Sequence, residues 1–324
     1  MGPQFQVPIR TKTHDGRERR VGFEFEYTGV RLEKSARLIA DLVGGEVERH
    51  NRFAFDVKGG RFGQFRIESD SSVLSKKKWE RYVSSETIDE WVERFSEDLI
   101  PFELVTPPIR FSELAFVEDL REVLRDAGAV GTHARFFSAF GFQFNPEMPD
   151  FTVETLLSYQ RAFFLLYDRL LATEDVPIAR RVLPYIDPFP DTYVSLILDE
   201  TYQPSLRTFM KDYLEANPTR NRALDWLPLF AYIDRELTFS YPVEVGLVKP
   251  RPTLHYRLPS SLIDEADWSI ASEWNKWVEI ENLAANPAMI LTMSREFRKL
   301  HGPFSLMAER RWIKRSGELI DGTV

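Results

Sequence analysis

The sequence has 324 residues, of which 43% are apolar and 28% charged, with a formal net charge of -8. Such a chain can bury a core while staying soluble, and its negative balance argues against a general nucleic-acid footprint. It contains no cysteine, which excludes disulfides, zinc-thiolate sites, iron-sulfur clusters and thiol nucleophiles.

The opening stretch MGPQFQVPIRTKTHDGRERR lacks the apolar core of a signal peptide, and residues 1–18 read as an N-terminal tail. The basic cluster Arg17 to Arg20 reads as solvated surface, with contact to phosphates as the alternative. No later stretch reaches the run needed to cross a bilayer, so a cytoplasmic protein with no membrane and no nucleic-acid partner is expected.

Next, RRVGFEFEYTGV begins a series of short alternating segments that read as strands, interrupted by the helix EKSARLIADLV. RFAFDV and GQFRIESDSSV follow, and KGGRFG between them carries the glycines of a hairpin turn, which predicts an antiparallel pair. TIDEWVERFSEDL reads as a helix and PFELVT as a strand. SELAFVEDLREVLRDAG is a helix with Gly128 as its C-terminal cap, and FFSAFGFQFN is a strand.

From about residue 151 to 240 the apolar spacing becomes helical, as in VETLLSYQRAFFLLYDRLL, with a Pro-rich connection at LPYIDPFPDTY. This predicts a helical insertion. NPTRNRALDWLPL is expected to begin another helix capped by Thr219. PTLHYRLP returns as a strand, and one long helix is expected from Trp268 to Ser294. The fold class is α+β, with strands from both ends of the chain sharing a sheet, within a single domain over residues 19–324.

Strands alternate their side chains between two faces. Val21, Phe23, Phe25 and Tyr27 define one face of the first strand and leave Glu24 and Glu26 on the other. Phe65 and Ile67 oppose Arg66, Glu68 and Asp70; Glu103 stands between Phe102 and Leu104; Gln143 and Asn145 alternate with phenylalanines; His255 and Arg257 alternate with Leu254, Tyr256 and Leu258. Helices are expected on the apolar face. Glutamates two apart on a strand sit about 7 Å apart, and acids gathered on one surface repel unless cations neutralise them. Oxygen-rich sets of this kind suit magnesium or manganese, and the arginines and Lys249 can meet the phosphates such ions bridge. On any one strand the same alternation also fits an ordinary solvated face.

In order, GFEFE, ESDSS, FELVTPP, GFQFN and LHYRLPSS, followed by the helix WSIASEWNKWVEIENLA, resemble the amidoligase family, a branch of the glutamine synthetase and glutamate-cysteine ligase superfamily. The resemblance implies a curved antiparallel sheet of that superfamily's catalytic type, one face covered by helices, holding ATP and magnesium over its polar face. It implies an ATP-dependent carboxylate-amine ligase, in which ATP phosphorylates a small-molecule or peptide carboxylate and an amine attacks the acyl phosphate to give an amide. Glu24 and Glu26 match the family's paired acidic metal ligands and Glu103 a further one. Asp70 stands at a functional aspartate with Glu68 able to assist, and Arg257 matches an arginine that contacts phosphate.

Two positions depart from the family's pattern. Gln143 and Asn145 replace its usual HxH, and His255 replaces the glutamate two before the arginine. Gln143 and His255 are expected to share an ion with Glu24, in a site retuned toward manganese; a core role is the alternative for His255. Lys249 and Arg251 are candidates for contact with phosphate or a substrate carboxylate, with a basic loop as the alternative, while Arg220 and Arg222, expected to open a helix, are candidates for receiving an acidic substrate, with simple capping as the alternative. The sequence has no GxxxxGK[ST] loop, no GxGxxG after a strand and no GxSxG elbow. The rival readings are a non-catalytic nucleotide- or peptide-binding relative and a metal-dependent hydrolase or phosphotransferase.

Overall fold

The structure is a computed structural model that describes residues 4–69, 101–132, 140–174, 186–301 and 307–322. These fall into two compact units. The first comprises Arg20–Phe144 and Pro259–Ala271, and the second Gln4–Arg19, Asn145–Leu258 and Ser272–Val324. Together the described residues combine antiparallel strands with ten α-helices, the mixed class the sequence leads one to expect.

In the first unit β1 (Arg20–Tyr27), β2 (Glu46–Asn51), β3 (Ala54–Gly60), β4 (Gly63–Ser69), β5 (Phe102–Val105), β6 (Ile109–Arg110) and the start of β7 (Phe142–Pro146) form a sheet. The strand order is β2-β3-β4-β5-β1-β7, and β6 also pairs with β1. The pairs β2–β3, β3–β4, β4–β5, β1–β5 and β1–β6 are all antiparallel. The expected hairpin is present: Gly60 pairs with Gly63, and the turn region has positive φ at Gly59 (76°) and Gly63 (114°). β2 was not expected. All six of its residues are exposed, so ladder bonds to β3, not apolar burial, hold it at the sheet edge.

Val21, Phe23, Phe25, Tyr27, Phe65, Ile67 and Leu104 are each 0% exposed, which confirms the apolar face read from alternation. Burying each such aromatic or aliphatic side chain stabilises by about 1.5–3 kcal/mol. Helices Leu32–Val43 and Ala115–Asp126 back this face, with Phe116 packing edge-on to Phe65 at 6.2 Å. The second of these helices ends before Gly128, whose φ of 102° provides the expected left-handed stop. A side chain on Gly29 would collide with the Gly128 carbonyl. That close approach lets Thr28 and Val130 exchange backbone hydrogen bonds at 3.0 and 2.9 Å.

The second unit is built around helix Val153–Thr173, capped by Thr152 as its Oγ1 accepts the Thr155 N–H. Helices Pro287–Leu300 and Ala308–Ile320 pack on it, and Trp312 Nε1 donates to the Leu165 carbonyl at 2.9 Å. Between residues 151 and 240 lie further helices Asp191–Ile197, Leu206–Ala216, Leu227–Ile233 and Arg235–Phe239, together with β8 (Leu224–Asp225). β8 pairs antiparallel with β9 (His255–Tyr256).

Three local expectations are corrected by the fold. NPTRNRALD does not begin a helix: it turns and then forms β8, because Arg222 bonds Asn217 Oδ1 at 2.9 Å and the Pro188 carbonyl, and Thr219 Oγ1 accepts the Asn221 N–H at 3.1 Å. The helix follows at Leu227–Ile233. Trp268 to Ser294 is not one helix but parts of two, Ile270–Ala284 and Pro287–Leu300, since Pro287 cannot continue the first and Asn286 caps the second. Nor is the Arg17 to Arg20 cluster uniformly solvated. Arg19 is fully buried against Glu281, with contacts of 2.8 and 2.7 Å, and residues before it bond helix Ile270–Ala284 through Asn275, Trp274 and Asn282.

Candidate functional site

On the polar face of the first unit, strand register sorts the acids into rows. Glu26 on β1 stands opposite Glu103 on β5, and Glu103 stands opposite Glu68 on β4. Directly opposed residues have Cβ atoms about 4.5–5.5 Å apart, and like charges so placed destabilise a sheet. The adjacent row holds Glu24, Val105, Arg66 and Asp56, with Glu24 only 7% exposed.

Local donors temper this charge. Glu26 accepts the Gly141 N–H at 2.7 Å and the Gln143 amide at 3.1 Å. Arg66 Nε donates to Glu68 at 2.8 Å, and that carboxylate raises the arginine's pKa above its ordinary value. Asp56, 2% exposed, gathers His50 at 2.6 Å, Gln64 at 2.7 Å and Arg66 at 3.3 Å. Sequence reading passed over Asp56, although its place between Phe55 and Val57 marks it for the polar face.

Three carboxylates in one row have the donor chemistry of a hard cation site. Among the described residues, however, no group of three or more His, Asp or Glu side chains already converges to hold an ion. Glu26 is turned to Gly141 and Gln143, and Glu68 to Arg66. Magnesium is commonly held by only one or two carboxylates, so the donor chemistry of this row does not require three acids to converge. Asp70 lies outside the described residues.

In the second unit His255 and Asn145 are buried, Arg251 and Arg257 half-buried, and Lys249 exposed. Asp225 on β8 lies directly across from His255 on β9. Burial pushes the Asp225 carboxyl up to about 6, against the opposing pull of Arg220, the Leu227 N–H, Arg257 and Arg251. Arg257 Nη1 donates to the Arg220 carbonyl at 2.6 Å. Arg220 is thus drawn into this cationic group with Arg251 and Arg257. Arg222 is engaged with Asn217, Pro188 and the Phe189 ring, 5.4 Å away. Asp225 was missed from sequence because a two-residue strand shows no alternation. A lone acid inside the apolar run Leu224 to Phe230 was its one signal.

The first unit thus carries a helix-backed antiparallel sheet with a row of acids on its polar face, and the second gathers Arg220, Arg251 and Arg257 about the buried Asp225. Over residues 17–279 the chain matches the family model described as "Putative amidoligase enzyme", and it belongs to that family. No curated protein matches it. The family's description suggests a ligase-type function. Among the described residues, no helix is long and apolar enough to cross a membrane.

Proposed function

We propose that the protein is an ATP- and magnesium-dependent carboxylate-amine ligase on a sheet of the glutamine synthetase and glutamate-cysteine ligase type. The observation that carries this reading is the cross-strand row Glu68, Glu103 and Glu26 in a chain of the amidoligase family. Its substrates are a small-molecule or peptide carboxylate and an amine.

A carboxylate resists attack by an amine because its oxide is a poor leaving group. Transfer of the γ-phosphoryl group of ATP to a carboxylate oxygen supplies a good one, and attack by the amine then releases phosphate and forms the amide. Glu24, Glu26, Glu103 and Glu68 would hold magnesium through carboxylate oxygens and Gln143 through its amide oxygen; when bound, the ion would neutralise charge on the phosphoryl oxygens. Arg257, with Arg251 and Lys249, binds phosphate oxygens. Arg220 holds the substrate carboxylate. Arg222, already bonded on two sides, orients the segment that carries Arg220. The chain itself positions the reactants and stabilises developing charge, which together account for most of the catalysis in phosphoryl transfer.

The test is ADP release measured with candidate acids and amines, singly and paired. A ligase releases ADP only when both are supplied. Turnover without amine indicates a hydrolase or phosphotransferase, and nucleotide binding without turnover indicates a binding protein. Glu26→Gln is expected to lower ADP release about a hundredfold or more while leaving the melting temperature near that of the wild type. Unchanged activity removes Glu26 from the site.

A further inference from the structure

The polar face of the first unit carries a cation of its own beside the acid row. Arg66 on β4 stands directly across from Asp56 on β3, while Glu68, two residues further along β4, belongs to the row with Glu103 and Glu26. The guanidinium reaches into both rows: its Nε donates to Glu68 at 2.8 Å and its Nη1 to Asp56 at 3.3 Å.

The two acids depend on it unequally. Asp56 is 2% exposed and has other partners, Gln64 Nε2 at 2.7 Å, His50 Nε2 at 2.6 Å and Lys58 Nζ at 3.8 Å. If neutralising that buried carboxylate were the arginine's task, its shorter bond would go there. The shorter bond goes instead to Glu68, whose side chain is 34% exposed and can be hydrated without help. A pair of this exposure adds little to the stability of the fold, so the bond calls for another explanation. It lies in what the bond does to the row: the guanidinium occupies lone pairs of Glu68 that a metal ion needs, and its charge repels an approaching cation.

We propose that Arg66 is the resident counter-ion of the row, a positioning residue that competes with a divalent cation for Glu68 and passes to Asp56 when the cation binds. The proposal rests on the reading of this row as the ligase's cation site and adds a competitor to it. Asp56 is the landing place: it lies across the strand pair and already accepts one N–H of the planar fork, so a small rotation trades one carboxylate for the other. Because the exchange keeps the arginine paired, the ion displaces it without stranding a charge. Arg66 thereby holds the cation affinity of the row below what its acids alone would give.

The experiment is titration of the full chain with manganese(II) chloride alone, without nucleotide, with free Mn2+ read by electron paramagnetic resonance. Arg66→Gln is expected to bind Mn2+ about threefold to fivefold more tightly than wild type, the range that an exposed ion pair corresponds to. Asp56→Asn removes the charge that draws the fork away, leaves Arg66 to Glu68, and is expected to weaken binding. The weakening should be smaller when Asp56→Asn is made on the Arg66→Gln background, where no fork remains to be shared.

Equal or weaker Mn2+ binding by Arg66→Gln overturns the proposal, and so does the absence of binding by both proteins. Equal losses from Asp56→Asn on the two backgrounds also overturn it, because Arg66 would then act as a distant charge and not by exchange. If Asp56→Asn does not fold, Arg66→Gln, a change at a half-buried side chain, still decides. ADP release by wild type is measured alongside: its absence with every acid and amine pair counts against the ligase reading, while Mn2+ affinity judges Arg66 separately.

Discussion

Glu103 has an acid across from it on each side, Glu26 on β1 and Glu68 on β4. Like charges directly across a strand pair destabilise a sheet. A row that retains such opposition is suited to a task performed with counterions. If magnesium and a nonhydrolysable ATP analogue bind as proposed, at about ten times the dissociation constant linkage is expected to add about 1.4 kcal/mol to the stability of wild type. Glu103→Gln is expected to lose most of that gain, read as the ligand-dependent rise in melting temperature; an equal rise in both proteins takes Glu103 out of the ion's shell. Arg19 and Glu281 present the opposite case, a buried ion pair with a purely structural setting. Glu281 also accepts from Trp277 Nε1 at 2.9 Å and from the Tyr159 hydroxyl. Arg19→Ala strands that carboxylate, with an expected loss of about 3–5 kcal/mol by urea unfolding. A loss below about 1 kcal/mol would mean that water reaches the carboxylate.

Elements were legible where side-chain chemistry repeats over several residues. β1, β3, β4, β5 and β7 alternate bulky apolar residues with polar ones, and helix Val153–Thr173 keeps helical spacing over 21 residues. β2 escaped notice because it buries nothing, and β6 and β8 because two residues carry no period. The same distinction applies to the candidate site. Alternation revealed which acids share a face, but the row of Glu68, Glu103 and Glu26 depends on strand pairing, which a single strand does not encode. Asp225, which a two-residue strand hid from the sequence, stands directly across the strand pair from His255. At the helix break, Asn286 followed by Pro287 was a readable stop and start within a continuous apolar pattern. Asn286 Oδ1 accepts the Met289 N–H at 3.1 Å, so Asn286→Ala is expected to cost about 1 kcal/mol in denaturant unfolding, with Asn286→Asp restoring most of it. No change on removing the cap would mean that packing alone ends the first helix.

Across the whole molecule, several acids are buried at a net cost that grows with pH. Burial and the adjacent Glu174 push the Glu273 carboxyl up to about 8, with Lys276 opposing them. Lys276 Nζ lies 2.8 Å from Glu174 and 2.9 Å from Glu273, so one cation serves two carboxylates. Burial likewise raises Asp168 and Asp225 to about 6. For each of these groups the folded state keeps a proton that the unfolded chain has already released. Stability from them is therefore fully present below the ordinary carboxyl values of 3.8 to 4.5 and declines as pH rises through the folded values. Asp150 works in the other direction: hydrogen bonds from Thr152 and Arg10 outweigh its burial and lower it to about 2, giving stability that is present above the ordinary value of 3.8 and lost as pH falls through about 2. Glu273→Gln removes the largest alkaline contribution and leaves Lys276 paired with Glu174. Its unfolding free energy relative to wild type is expected to rise between about pH 4.5 and 8 and to level off above that range. A difference that stays constant across those pH values would show that Glu273 is already ionised in the folded protein, with Lys276 and not a retained proton making its burial tolerable.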